Sequence, residues 1–343
     1  MKGLLIHVAA DTTNLGVVGP IFEDMSFEYI PINNTYGEEQ RTYRDFMALN
    51  KQYGQTLADF LPAGVANLPV HYDPDFNNYI YGQDLSEHPR SFTLRKLERG
   101  DVLFFMASLA PYDPDIYAKR DELLRRYQAG RRNKYIIGFF TVESVAHVAA
   151  FKSSPRLTLA LLNIWHMQEG GEAPLDKSSL EKELEWLVAQ GFAVKEGDSY
   201  RLTCPNEAAR SGEEIVNWIA DEWPEDERSK MKLLEEGKIT ILSGSINIED
   251  VKLSHHYKRL RPLDLDYFTL IKGDPNHSAL LKHAVRLTEC YEKYRFMLNK
   301  LGQTILSRSF DPLRGTRWIN ESAVKLLNKE ITKLNPELTN KLA

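Results

Sequence analysis

Cysteine is scarce in this chain. Two occur in 343 residues, Cys204 and Cys290, set far apart and in no C-x-x-C pair. A disulfide framework or a structural zinc site is therefore not expected, and a reducing, cytoplasmic setting fits. Long apolar runs are missing too: no stretch approaches the ~18 residues that a membrane helix needs. The opening MKGLLIHVAAD breaks its apolar run at Asp11 and lacks the length and cleavage pattern of a signal peptide, so no membrane partner is expected. G-x-S-x-G, H-E-x-x-H and the dinucleotide fingerprint are all absent, which leaves serine-hydrolase, zincin and Rossmann-cofactor readings without support. No residue pattern specifies a cofactor. The net charge of −5 is too small to characterise the whole chain.

What is present is enough apolar material, 43% of residues, to bury a sizeable core. Residues 3–10, 27–32, 102–107, 135–142 and 267–272 read as strands, the third and fourth aromatic or β-branched as buried strands are. Residues 41–60, 115–129, 278–300 and 320–332 read as helices, and 62–90 as a loop rich in Pro, Asp, Asn and Tyr. This is an α+β (mixed α/β) pattern, with a small mixed sheet or barrel and a basic helix between two buried strands.

The distribution of charge divides the chain. Residues 151–250 hold 11 Lys+Arg against 20 Asp+Glu, a balance of −9, while the remainder holds 32 against 28, or +4. The acidic stretch reads as helices at 157–167 and 177–190, a stop at Gly191, a hairpin turning at Gly197-Asp198, and helices at 206–222 and 225–236. Helix followed by hairpin is the order of a winged helix. Its would-be recognition helix carries Glu181, Glu183 and Glu185 against Lys182, which would repel a duplex. We expect a mainly helical, winged-helix-like insertion at 151–250, able to meet a protein partner, within an α/β domain at 1–150 and 251–335.

Several polar clusters carry chemistry. Residues 119–134 hold seven cations against two acids. Asp113 and Pro114 suit the start of a helix there, Leu123, Leu124 and Tyr127 its inner face, and Arg120, Arg125 and Arg126 an outer face able to pair with phosphates. A solvated helix face is the plainer account. His71-Tyr72-Asp73-Pro74-Asp75, followed by Tyr81, is the densest polar-aromatic group. In an extended chain Asp73 and Asp75 would point the same way, fit to hold a metal, orient a sugar hydroxyl or move a proton; Asp-Pro-Asp is also common in simple turns. Asp11, Thr12 and Thr13 end the first strand, where chemistry is frequent in α/β folds. Lys272 precedes a strand-to-helix connection that could bind an anion. His255-His256 opens a second basic run that reaches Arg259; adjacent histidines are poor evidence for zinc, which needs four ligands or three plus water, and no metal site is expected at this pair. Arg314 and Arg317 form a third basic group beside Trp318.

Six stretches taken together resemble the third type of the nucleotide modification associated domain family: Lys2–Pro20 (KGLLIHVAADTTNLGVVGP), His71–Gly82 (HYDPDFNNYIYG), Gly100–Leu109 (GDVLFFMASL), Tyr135–Val145 (YIIGFFTVESV), Lys272–Ala284 (KGDPNHSALLKHA) and Arg314–Ile319 (RGTRWI). The likeness covers roughly 1–150 and 251–330 and skips the acidic stretch. It implies association with systems that modify or sense altered bases in DNA. The third and fourth stretches are also similar to strands of PUA-like barrels, including EVE and ASCH domains, and that likeness implies a pocket near Phe105, Ser108 and Tyr112.

The resulting expectation is a nucleic-acid or nucleotide partner, DNA in the first instance. Arg120, Arg125, Arg126, Arg259, Arg314 and Arg317 would hold phosphates. His71, Asp73, Tyr81 and Tyr112 would meet the base or sugar, with Thr12, Thr13, Ser108, His256 and Lys272 also lining the substrate site. Alternatively, Asp11, His71, Asp73 and Asp75 would form the acid–base or metal set of a hydrolase or transferase acting on a nucleotide. A scaffold that docks a partner through 151–250 is the remaining reading.

Overall fold

The computed structural model describes residues 1–11, 15–33, 41–84, 93–151, 185, 188, 193–197, 199–202, 239–258, 265–292, 295–308, 310–311 and 316–342. The chain divides into two compact units: Met1–His147 with Ser243–Arg259 and Phe268–Ala343, and Val148–Leu242 with Leu260–Tyr267. Among the described residues no helix is long and apolar enough to cross a membrane.

The architecture is mixed α+β, built on a sheet curled into a half-barrel, with few helices. The first strands are β1 (Gly3–His7), β2 (Gly19–Ile21), β3 (Ile32–Asn33), β4 (Val70–His71), β5 (Ile80–Asp84) and β6 (Val102–Pro111). Two short helices, α1 (Pro114–Tyr117) and α2 (Glu122–Arg131), lead into β7 (Asn133–Phe151). After the hairpin β8 (Ala193–Glu196) and β9 (Ser199–Leu202) come β10 (Ile239–Gly244), α3 (Ile248–Leu253), α4 (His255–Lys258) and β11 (Leu265–Arg286). The chain continues with β12 (Thr288–Glu292), β13 (Arg295–Leu298), α5 (Lys300–Leu306), β14 (Phe310–Asp311), β15 (Arg317–Ile319) and α6 (Glu321–Leu334).

The large sheet runs β15-β1-β6-β7-β11-β5, with β2 also on β6 and β10 on β7. β1 and β2 lie parallel to successive parts of β6, whereas β7 is antiparallel to it. β6 is buried along nearly its whole length, as a central strand covered on both faces should be. One aromatic layer joins Phe105 to Phe76, Tyr81 and Phe140. α6, capped by Asn320 on the Ala323 amide, buries Val324, Leu327 and Ile331. The buried Asn335 just beyond it accepts from the amides of Lys282 and His283 and donates to the His283 carbonyl, tying the helix end to β11.

Several sequence-based expectations are overturned. Residues 41–60 form no α-helix. The Thr42/Asp45 and Thr56/Asp59 pairs each close a capping box on a single 3-10 turn, and Met47 bridges Thr56 between them. The helix expected at 278–300 is strand: β11 runs on to Arg286, and β12 and β13 follow as an antiparallel pair. The helix-like spacing of Leu281, Ala284, Val285 and Leu287 arises in a strand with one face buried at Leu281 and Val285, where Lys282 and Arg286 on the other face are exposed but Ala284 between them is covered. The basic helix is broken at Arg120, whose φ is 49°, and restarts where Asp121 caps the Leu123 amide. Leu124 faces the core as expected, but Leu123 is 41% exposed.

In the second unit the expected hairpin is present, pairing Ala193 with Leu202 and turning at Gly197, where φ is 64°. Glu185 and Val188 are helical. The rest of the helices expected at 157–167, 177–190, 206–222 and 225–236 lie outside the described residues.

One buried acid gives the first unit a pH signature. The Glu28 carboxylate accepts from the Leu49 amide at 2.8 Å, the Asn50 amide at 2.6 Å and the Asn50 side chain at 3.1 Å. Burial nonetheless outweighs these bonds and raises its pKa above the ordinary 4.5. The folded chain therefore keeps this proton at pH values where the unfolded chain has lost it. The stability contributed by the group is full below 4.5 and falls as pH rises through the raised value. Denaturant titrations across that window should show a flatter pH profile for Glu28→Gln than for the parent chain.

Candidate metal and acid–base centre

Three side chains from distant parts of the first unit converge. β4, paired to β3 through Ile32 and His71, ends at His71. Two residues on, Asp73 precedes a tight turn held by Asp75, whose carboxylate accepts from the Asn77 and Asn78 amides and from the Asn78 side chain. Reciprocal backbone bonds between Asp75 and Ile80 close that turn. β5 is thereby returned beside Asp73, so that the Gly82 amide donates to both carboxylate oxygens at 3.2 and 3.3 Å.

The third member comes from α4. Ser254, buried between α3 and α4, donates to the Val251 carbonyl and accepts from the Tyr257 amide, which fixes the two histidines that follow it. His256 Nε2 then stands 3.2 Å from Asp73 Oδ2, and His71 Nε2 stands 3.7 Å from the same oxygen. One ligand atom from each of His71, Asp73 and His256 lies within 4.8 Å of the other two. All three side chains are buried, at 6% exposure or less.

Rings hold the imidazoles in place. Phe268 stacks on His256 at 5.4 Å, and His255 meets His71 edge-on at 4.2 Å. Gly82 is required at its position: a Cβ there would strike His256 Cδ2 and lie 2.7 Å from Nε2. Burial pushes the Asp73 carboxyl upward, but the imidazoles of His256 and His71 outweigh it and hold the group below the ordinary 3.8. The centre thus keeps a carboxylate between two imidazoles. Beside it, burial first, and then Tyr72, Asp73 and Tyr81, push the Tyr29 phenol well above 10, so it stays protonated. Tyr29 is 3% exposed, and no described residue hydrogen-bonds its hydroxyl.

The other sequence-derived candidates sit elsewhere or have local duties. Asp75 serves its own turn, as above. Asp11 ends the segment after β1, its carbonyl accepting from the Leu15 and Gly16 amides; Thr12 and Thr13 lie outside the described residues, as do Arg259 and Arg314. Tyr81 packs on Phe105 and donates to Gln83 at 3.3 Å. Ser108 lies 3.1 Å from His7 Nε2. Tyr112 belongs to a separate ring cluster with Phe22, Tyr53, Phe60 and Tyr117. Lys272 marks no helix start: it lies within β11, bonded to Asp250 at 2.8 Å and to the Asn78 carbonyl at 2.9 Å. Arg120 turns inward to the Leu61 carbonyl instead of outward to solvent. Arg125 pairs with Glu122 and lies along Gly16, Arg126 is exposed, and Arg317 donates to the Thr316 carbonyl. Tyr29, Gly82 and Phe268 were not singled out from sequence; only the Tyr81-Gly82 pair at a strand carried a signal, since an isolated glycine in a strand marks a close approach.

Two imidazoles and one carboxylate, all buried, thus meet on the curled sheet, donor types that could hold a metal ion. A family model, nucleotide modification associated domain 3, matches residues 2–236. The chain belongs to that family, whose description sets it in the context of nucleotide modification. No characterised protein and no solved structure matches it. The match runs into the acidic stretch that the sequence resemblance left out, as far as residue 236, and stops before Lys272–Ala284 and Arg314–Ile319. His71 and Asp73 lie inside it, and His256 lies beyond it.

Proposed function

We propose that the protein processes a nucleotide, or a modified base within DNA, by hydrolysis or group transfer at the His71–Asp73–His256 centre. One observation carries the reading: two imidazoles meet one ionised, buried carboxylate in a chain of a nucleotide-modification family. Two imidazoles beside one carboxylate are groups that can move a proton to or from a substrate, or hold an ion that activates water. Of the nearby rings Tyr72 is half-buried, whereas Phe76 and Tyr81 are packed into the core against Phe105. The cations of α2, Arg126 foremost as an exposed one, would draw a polyanion toward the unit.

The enzyme reading is favoured over simple recognition of a flipped base because the polar side chains that converge are acid–base groups. The recognition reading draws on a pocket implied by the PUA-like resemblance near Phe105, Ser108 and Tyr112; Phe105 and Ser108 are buried and Tyr112 packs in a separate ring cluster, which lends that reading no support.

The test is a screen of modified and unmodified mononucleotides and duplexes, with products read by mass spectrometry. The parent chain should convert at least one class, and Asp73→Asn should lose that conversion while remaining folded. Full turnover by Asp73→Asn on every substrate found would remove the centre from the chemistry.

A further inference from the structure

We infer that His71, Asp73 and His256 bind one divalent transition-metal ion of the zinc or iron(II) class. The inference rests on the same centre as the proposed function and names the ion it takes.

Distance is the first argument. His71 Nε2 points at Asp73 Oδ2 from 3.7 Å, beyond the range of a hydrogen bond. Two ligands about 2.0–2.2 Å from a common ion stand roughly 3–4 Å apart at ordinary coordination angles. The His71–Asp73 and His256–Asp73 separations of 3.7 and 3.2 Å both fall in that interval; the third pair is bounded only at 4.8 Å, and binding draws the two imidazoles to the shared ion. The His71–Asp73 spacing, too long for a hydrogen bond, is thus suited to a shared ion, and His256 already reaches the same oxygen.

Donor chemistry is the second. Two imidazole nitrogens and one carboxylate oxygen suit zinc, iron or cobalt, whereas magnesium and calcium take oxygen ligands. Three protein ligands leave at least one coordination position for water or a substrate oxygen, the arrangement of a reactive site and not of a closed structural one.

The surroundings are the third. Metal ligands need outer partners that fix their orientation. Here the Gly82 amide grips both Asp73 oxygens, Phe268 lies flat against His256, and His255 abuts His71. An ion there would supply a Lewis acid or an activated water.

The experiment uses the full chain, stripped with a chelator and titrated with zinc sulfate and with cobalt chloride. Binding is followed by calorimetry, visible absorption and metal content. The parent chain should bind one equivalent, show cobalt d–d bands, and melt at a higher temperature with zinc present. His256→Ala and Asp73→Asn should lose saturable binding. Gly82→Ala keeps all three ligands but crowds His256, and should weaken binding about 10–100-fold, the usual cost of disturbing an outer partner. It keeps the inference open to refutation should a ligand variant fail to fold. Absence of stoichiometric binding by the parent chain overturns the inference, and so does undiminished affinity in folded His256→Ala. A chain that takes no ion yet converts nucleotides in an Asp73-dependent way also overturns it while leaving the proposed function standing. One that binds zinc at these residues but converts nothing upholds the ion site and removes the proposed reaction.

Discussion

Asp73→Ala should cost the first unit about 3–5 kcal/mol of folding stability, the usual penalty for removing one partner of a buried ionic group. The carboxylate has taken up two kinds of partner at once. It accepts the Gly82 amide, and it faces both His71 and His256 with almost no solvent to replace it. Truncation leaves a buried amide without its acceptor and two imidazoles without a counter-charge. Asp73→Asn retains the shape and one acceptor oxygen, so it should lose markedly less. Urea unfolding of both variants at neutral pH separates the cases. Equal losses would show that charge, and not occupancy of the space, sets the stability of the centre; a loss under 1 kcal/mol for alanine would mean that the carboxylate is not held as described. The ordering also matters for function, because Asp73→Asn is the variant in which chemistry can be lost from a chain that still folds.

The legible part of this site was the local part. His71, Asp73 and Tyr81 stood out because they are close in sequence and dense in polar and aromatic groups, and a strand return beyond Pro74 brings them together. The helix cap at Asp113 and the final helix were legible for the same reason: a cap, a proline or a 3.6-residue period is written within a dozen residues. His256 was visible only as half of an ambiguous pair. Its partner Asp73 is 183 positions away, and no local pattern can state that a helix of four residues will be laid over β5. Gly82 became informative only once His256 stood against it. The longest error, a helix at 278–300, has a physical cause: Ala284 is buried on the face where Lys282 and Arg286 are exposed, which breaks the two-residue alternation and leaves the apolar positions by accident near helical spacing. The basic segment at 119–134 was legible as charge but not as geometry, since the left-handed residue at Arg120 breaks the single face on which its arginines were expected to align.

The second large effect belongs to the layer beneath the centre. Phe105→Ala should destabilise the first unit by about 3–5 kcal/mol, the range for deleting a buried phenylalanine and leaving a cavity. Phe105 is fully buried in β6, with Phe140 at 4.7 Å, Phe76 at 5.3 Å and Tyr81 at 5.4 Å, all edge-on. Its three neighbours come from β7, from the turn after Asp73 and from β5, so one ring joins the segments that deliver Asp73 and Gly82 to the site. With total stabilities of small folded units near 5–15 kcal/mol, such a loss is a large share of the whole. Phe105→Leu refills much of the volume and should cost well under half as much. The informative measurement pairs denaturation with zinc titration. If Phe105 only fills space, both variants should bind zinc in proportion to the fraction folded. If it sets the relative positions of β5 and the Asp73 turn, folded Phe105→Leu should bind zinc more weakly than the parent chain, although it alters no ligand.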